Sequence, residues 1–249
     1  MTKIPVALQV YSVRAAFAAN PLDTLRAVKA MGYQAVEFFG APAYCPEFYK
    51  GLLKETGLVC CGWLWSNLLT PEGLRAGIDF SREMGNRTLI CGSVQHDTKE
   101  HVLQYAKRLN ETADALAPFD MRTGYHSHKH DHATVDGIVP WDVLMDNTDK
   151  EVIMQLDVGN SIDGGADVMA ILNNHPGRCK TVHIKPHGFK QNETGIKPVV
   201  GEDDCPWREI IDFLKEKGNT EWYIVEYGNT GPDALETAEK CLHGLQKYL

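Results

Sequence analysis

The chain has 249 residues, 43% of them hydrophobic, and a formal net charge of -8, with 33 acidic against 25 basic side chains. A chain of this length can bury about three quarters of its unfolded surface, and no Ser/Pro-rich linker or shift in composition divides it, so a single α/β domain over residues 1–249 is expected. The acidic balance argues against a nucleic-acid ligand, which calls for clustered Lys and Arg, and no run approaches the roughly 18 apolar residues of a membrane helix.

The first residues, MTKIPVALQVYSV, lack the long apolar core and the small-residue cleavage site of a signal peptide. Seven cysteines, an odd number with Cys60 and Cys61 adjacent, look like buried small hydrophobes rather than a disulfide framework. Both features lead to the expectation of a reducing, cytoplasmic setting. The oligomeric state is left open by the sequence, and a homo-oligomer is compatible with it.

In chain order, short β-branched runs alternate with stretches of helical period, the pattern of repeated βα units around a parallel sheet. The first strand is expected from Val6 to Tyr11. Asn20-Pro21 opens a helix with a capping residue followed by Pro at its first position, and Gly32 ends it. Strand 2 is expected over Ala35 to Phe39, its helix over Pro46 to Thr56, and strand 3 over Leu58 to Trp63. Thr70-Pro71 repeats the cap-then-Pro opening and Gly85 the closure, ahead of strand 4 from Arg87 to Cys91. A long helix from Asp97 to Ala117 leads to strand 5, Thr123 to His128. Strand 6 lies in Val152 to Asn160, a helix follows near Ala166 to Asn173, and strand 7 is Lys180 to Lys185. After a long loop, Pro186 to Pro206, come a helix from Trp207 to Lys217, strand 8 from Trp222 to Tyr227, and a last helix from Pro232 to Tyr248.

Eight such units in this length have the size and rhythm of a (β/α)8 TIM barrel. The competing doubly wound sheet usually carries a Gly-rich phosphate turn after its first strand, and YSVRAAFAAN contains no glycine. In a barrel the carboxyl ends of the strands share one mouth. Strands 6, 7 and 8 end in Asp157, His183 and Glu226, an oxygen and nitrogen set suited to one divalent cation, Mn²⁺ first and Co²⁺, Mg²⁺ or Zn²⁺ as alternatives. Alternation along a strand predicts that Gln155 with Asp157, Thr181 with His183 and Lys185, and Ile224 with Glu226 point inward together.

Strand 5 runs into YHSHKHDH, with His126, His128, His130 and His132 at every second position. His126 and His128 are read as metal or substrate residues, and His130 and His132 as a solvated loop. Glu37, a carboxylate within the apolar run AVEFF, is expected to point into the mouth, with a structural ion pair as the other reading. Lys185, two residues beyond His183, would either polarise a substrate oxygen or neutralise a carboxylate. Trp63 and Trp65 could offer flat faces to a sugar ring or pack in the core. The loop Pro186 to Pro206 has the length and charge of a lid.

LQVYSVR, GYQAVEFFG, YHSH, LDVGN, VHIK, GEDDCPW and YIVEYG, in this order and spacing, resemble the sugar phosphate isomerase/epimerase family, barrels related to xylose isomerase, over nearly the whole chain. The resemblance implies a (β/α)8 barrel holding one divalent metal on strands 5 to 8. Asp157, His183 and Glu226 match three of those ligands, and His126 stands where many members have Glu, which resembles a subgroup with a YHxH motif that includes inosose dehydratases and 3-keto-sugar enzymes. Pro186 replaces the Asp that often follows His-x-Lys.

The expected chemistry is metal-assisted proton abstraction beside a carbonyl on a small keto-sugar or polyol, through an enediolate, with His128, Glu37 and Glu226 as candidate bases and Lys185 as a further catalytic candidate. Isomerisation or epimerisation is the main reading, loss of a β-hydroxyl or glycosidic oxygen in a lyase the alternative. A metal-dependent endonuclease and a non-catalytic metal-binding subunit are the rivals. The turn Gly228 to Asp233 could offer N–H groups to an anion, but a capped turn reads alike and no basic cluster joins it, so an unphosphorylated sugar or cyclitol is preferred.

Overall fold

Buried strands must pair their backbone groups with one another, and intervening helices impose a parallel arrangement. In the computed structural model, which describes residues 3–94, 98–188, 198–228 and 233–249, eight strands close into a barrel in chain order. They are β1 (Val6–Gln9), β2 (Ala35–Phe39), β3 (Val59–Trp65), β4 (Thr88–Cys91), β5 (Arg122–His126), β6 (Ile153–Asp157), β7 (Thr181–Ile184) and β8 (Trp222–Val225). Every neighbouring pair is parallel, and β8 closes on β1 with Tyr223 opposite Val6. The expected (β/α)8 barrel is the observed architecture.

The helix signals act as expected. Asn20 Oδ1 accepts from Asp23 N at 3.2 Å and Thr70 Oγ1 from Gly73 N at 3.1 Å, each ahead of a Pro at the first helical position. Gly32 and Gly85 close their helices at φ of 111° and 90°, a left-handed conformation that costs a side chain least when it is absent.

Strand ends differ from the sequence reading where a side chain captures the backbone. Gln9 Oε1 accepts from Tyr11 N at 3.1 Å, which turns Val10–Val13 into a 3-10 helix and stops β1 short of Tyr11. The backbone N–H of His128 donates to Asp131 Oδ2 at 2.6 Å, so β5 ends at His126 and His128 opens a 3-10 turn over Lys129–His132. Arg14–Ala19 and two later helices, Pro140–Asn147 and Val158–Asp163, fall where none was expected from the sequence. Pro140–Asn147 is held by Trp141, fully buried against His132 and Tyr125; Val158–Asp163 is capped by Asp157 itself, whose Oδ1 accepts from Asn160 N at 2.8 Å.

The main core lies between the barrel wall and its helices. Inside the barrel, Ala7, Ala35, Cys61 and Ile224 form a small apolar floor. Two residues along β1, β2 and β8 the same inward face carries Gln9, Glu37 and Glu226, so the interior changes from apolar to polar within one pleat. A register shift between Val36 and Glu37 sets Glu37 opposite Gly62, where a Cβ would stand 2.8 Å from Glu37 Oε1. The missing side chain is the room the carboxylate occupies. No described helix is long and apolar enough to cross a membrane.

Two glycines serve as opposite tests of this packing. A Cβ on Gly124 would lie 2.2 Å from the Ile153 carbonyl oxygen of the neighbouring strand, whereas one on the exposed, helical Gly51 meets nothing within 4 Å. Thermal or urea denaturation should show Gly124→Ala losing about 1–3 kcal/mol through overpacking against β6, and Gly51→Ala gaining about 0.5–1 kcal/mol from helix propensity.

Candidate metal centre and active-site cavity

The polar layer of the barrel converges at the ends of β5 to β8. His126, Asp157, His183 and Glu226 each offer a ligand atom, all of them buried and within 4.8 Å of one another. His126 Nε2 and His183 Nδ1 both stand 3.9 Å from Asp157 Oδ2, and His183 Nδ1 is 2.9 Å from Glu226 Oε2. Asp157 Oδ2 is buried without a hydrogen bond, while its partner oxygen caps the helix that follows. Buried carboxylate oxygens are ordinarily satisfied. One without a hydrogen bond, facing two imidazole nitrogens and a second carboxylate, is an arrangement that one divalent cation fits, and sulfur is absent from the donor set.

Lys185 lies just past β7 with its Nζ 2.8 Å from Glu226 Oε1 and 3.6 Å from Asp157 Oδ2. Burial works against its charge, but the two carboxylates outweigh that and hold it protonated. Burial would likewise raise Glu226, yet Lys185 and His183 keep its carboxyl well below the usual range. Asp157 is pushed up to about 6, chiefly by burial. Burial disfavours the charged form of His183, but Glu37 and Glu226 on its two nitrogens overcome this and raise it to about 10. His126 and His128 move the other way, burial holding both below the usual histidine range and so neutral.

Glu37 does not reach the mouth, contrary to the expectation from AVEFF. It is fully buried beneath His183, where Oε2 accepts from Gln9 Nε2 and His183 Nε2, each at 2.7 Å, and Oε1 from Gln155 Nε2 at 2.8 Å. The register shift that sets it opposite Gly62, together with three donors from β1, β6 and β7, retains it inside. Gln155 in turn reaches Thr181 Oγ1 at 2.9 Å and His126 Nδ1 at 3.0 Å. Gln155 and Thr181 face inward as alternation predicts, but the connection they make between Glu37 and His126 had no signal in the sequence beyond a polar residue in an apolar run, which Gln9 shares.

A cavity of about 810 Å³ opens over the cluster and extends across the ends of β1 to β4 towards Tyr105 and Arg108 on the helix Lys99–Leu116. His126, His128, Lys185 and Glu226 line the side of the cavity nearest the cluster. The ring of His128 packs edge-on to His126, with centroids 4.8 Å apart, and its Nδ1 is buried without a hydrogen-bond partner. His130 is half exposed, as expected of a solvated position. His132 is not solvated: it is buried, with its Nε2 2.9 Å from Ser161 Oγ. The loop reading fails for His132 because Asp131 captures the His128 backbone and the ring of His132 packs against Trp141. Trp65 lines the cavity, whereas Trp63 belongs to the core, packed edge-on against Tyr49 and Phe80 and tilted against Phe38.

The ends of the long loop are tied to the body. Asp203 accepts from the backbone N–H groups of His187 and Gly201 and from Trp207 Nε1 at 2.8 Å. The middle of the loop expected to act as a lid, and most of the Gly228 to Asp233 turn considered for an anion, lie outside the described residues.

Comparison with known proteins agrees with this fold. An inosose dehydratase of Geobacillus thermodenitrificans is 26% identical over 188 residues, 63% of this chain and 62% of that protein, so the chain spans under two thirds of this relative. A sugar phosphate isomerase/epimerase from Parabacteroides distasonis superposes with a TM-score of 0.83 at 21% identity, covering 99% of this chain and 94% of that one. The IOLI protein, solved with a bound zinc atom, superposes with a TM-score of 0.76 at 14% identity over 98% of this chain and 99% of its own. The profile of the xylose isomerase-like TIM barrel family matches residues 25–246, and the chain, with its closed barrel and strand-end donors, belongs to that family.

Proposed function

We propose that the protein is a divalent-metal-dependent isomerase or epimerase of a small keto-sugar or polyol. The observation that carries this reading is the buried Asp157 Oδ2, which makes no hydrogen bond, among three further donors at one end of an 810 Å³ cavity. His126, Asp157, His183 and Glu226 would hold the cation, with Mn²⁺ the ion to test first and Zn²⁺, Co²⁺ and Mg²⁺ beside it. The chemistry supplied by such an ion is Lewis acidity towards a substrate oxygen that gains negative charge.

The chain's own groups supply the proton transfers. His128 is neutral and lines the cavity beside His126, so it is the base we assign to the hydrogen on the carbon next to the carbonyl. Glu226, held ionised by Lys185 and His183, is the second candidate. Glu37 takes no proton from substrate in this reading, since it is out of reach behind His183. Lys185 keeps both metal-side carboxylates charged and turns a cationic donor to the cavity.

Return of the proton to the adjacent carbon gives an isomer, and return to the opposite face an epimer. Departure of a β-hydroxyl as water gives a dehydratase, and the inosose dehydratase relative favours that second reading. Incubating the Mn²⁺-loaded protein with ketoses, 3-keto-glycosides and inososes in D₂O, followed by NMR, separates them. Deuterium in an isomeric or epimeric sugar supports the main reading, an unsaturated or dehydrated product supports the lyase, and no exchange with any of the three classes refutes both.

Asp157→Ala is expected to lose the bound cation altogether by elemental analysis, and a full equivalent retained would remove the cluster from the metal role. His128→Ala should abolish deuterium incorporation next to the carbonyl while still binding metal; unchanged exchange would pass the base role to Glu226. Metal affinity should rise with pH, because the cation competes with protons. Binding displaces the His183 proton below about pH 10 and, below about pH 6, the Asp157 proton as well. Calorimetric Mn²⁺ titrations should therefore lose roughly tenfold in affinity per pH unit down to about pH 6 and roughly a hundredfold per unit beneath it. A pH-independent affinity would contradict the assignment of both ligands.

A further inference from the structure

The contacts of Gln155 define its amide orientation. Its Nε2 donates to Glu37 Oε1 at 2.8 Å and to Thr181 Oγ1 at 2.9 Å. A carboxylate oxygen only accepts, so the amide cannot turn its carbonyl there without losing that bond to repulsion. The carbonyl must face His126 Nδ1, 3.0 Å away, and that nitrogen must carry the hydrogen. His126 then presents the lone pair of Nε2 towards Asp157 Oδ2.

The other oxygen of Glu37 settles the second ring. Oε2 accepts from His183 Nε2 at 2.7 Å, which puts the hydrogen there and turns Nδ1 to the cluster. It also accepts from Gln9 Nε2 at 2.7 Å, and Gln9 is locked because its own Oε1 accepts from Tyr11 N. Neither Glu37 nor Gln155 lines the cavity.

We infer that Glu37 is a positioning residue that orients both histidines for the cation in opposite tautomers, His183 as Nε2–H by direct contact and His126 as Nδ1–H through the amide of Gln155. The inference deepens the proposed function and rests on its reading of the cluster as a metal site. Groups behind a metal-bound histidine set its tautomer and basicity in this way. Here one buried acid serves two ligands, one of them at the remove of a neutral side chain.

The substitution Glu37→Gln is isosteric and has a determined outcome. The Oε2 position faces two donors and must keep an oxygen, so the new NH₂ falls at the Oε1 position, against Gln155. Gln155 then turns its carbonyl to position 37 and its NH₂ to His126, which transfers the hydrogen of His126 to Nε2, the nitrogen the cation requires. Nitrogen-15 NMR of the metal-free protein should show His126 as Nδ1–H in wild type and as Nε2–H in E37Q. Zn²⁺ affinity by competition titration should fall roughly 10–100-fold.

The charge swap E37Q/Q155E restores an accepting oxygen opposite His126 Nδ1 and should return both the wild-type tautomer and most of the affinity. The inference is overturned if wild-type His126 is Nε2–H, if E37Q leaves tautomer and Zn²⁺ affinity unchanged, or if the swap restores neither. The wild-type spectrum decides the matter even where a variant fails to fold. A wild type that shows Nδ1–H on His126 but binds no divalent cation overturns the metal reading and leaves the tautomer relay standing.

Discussion

The interior of this barrel has to accommodate three carboxylates that are almost wholly buried. Glu37, Asp157 and Glu226 are all buried, and an isolated ion in such a place costs several kcal/mol after relaxation. Their compensation is local: Lys185 bridges Asp157 and Glu226, and a protonated His183 is clamped between Glu226 and Glu37. Two positive groups against three negative ones leave one charge unbalanced and one oxygen, Asp157 Oδ2, without a hydrogen bond. A divalent cation that displaced the His183 proton would remove both deficits together. The need for that balance explains why the donors, the lysine and the acid behind them form one connected unit.

The barrel makes such a unit affordable because its layers are separated. Ala7, Ala35, Cys61 and Ile224 seal the amino-terminal end with apolar atoms, and the polar groups begin only one pleat higher. The strands that carry donors are consecutive, β5 to β8, while β1 to β4 give the cavity its opposite wall of Leu64, Trp65 and Cys91. The candidate donors and the facing wall of the cavity therefore belong to different halves of the fold.

What could be read from the chain was whatever depends on local pattern. Cap-then-Pro openings at Asn20 and Thr70, glycine closures at Gly32 and Gly85, and apolar runs delivering Asp157, His183 and Glu226 to a common mouth are all short-range signals, and parallel closure brings their ends together. The rest depends on partners distant in sequence. Glu37 reads as a mouth residue until Gln9, Gln155 and His183 are seen to saturate it. His132 reads as solvated until Asp131 bends the chain and brings the ring against Trp141. The helix Val158–Asp163 is hidden because its cap, Asp157, is also the last residue of a strand.

The vacancy opposite Glu37 ties two positions into one choice. Because the carboxylate occupies the place where a methyl on Gly62 would sit, an acid at 37 and a bare backbone at 62 require each other. A lineage that abandoned the acid would free position 62 to acquire a side chain, and one that filled position 62 first would evict the acid. Among related barrels the two sites should drift as a pair, so that a bulkier residue at the second marks a chain whose histidines are oriented by some other means.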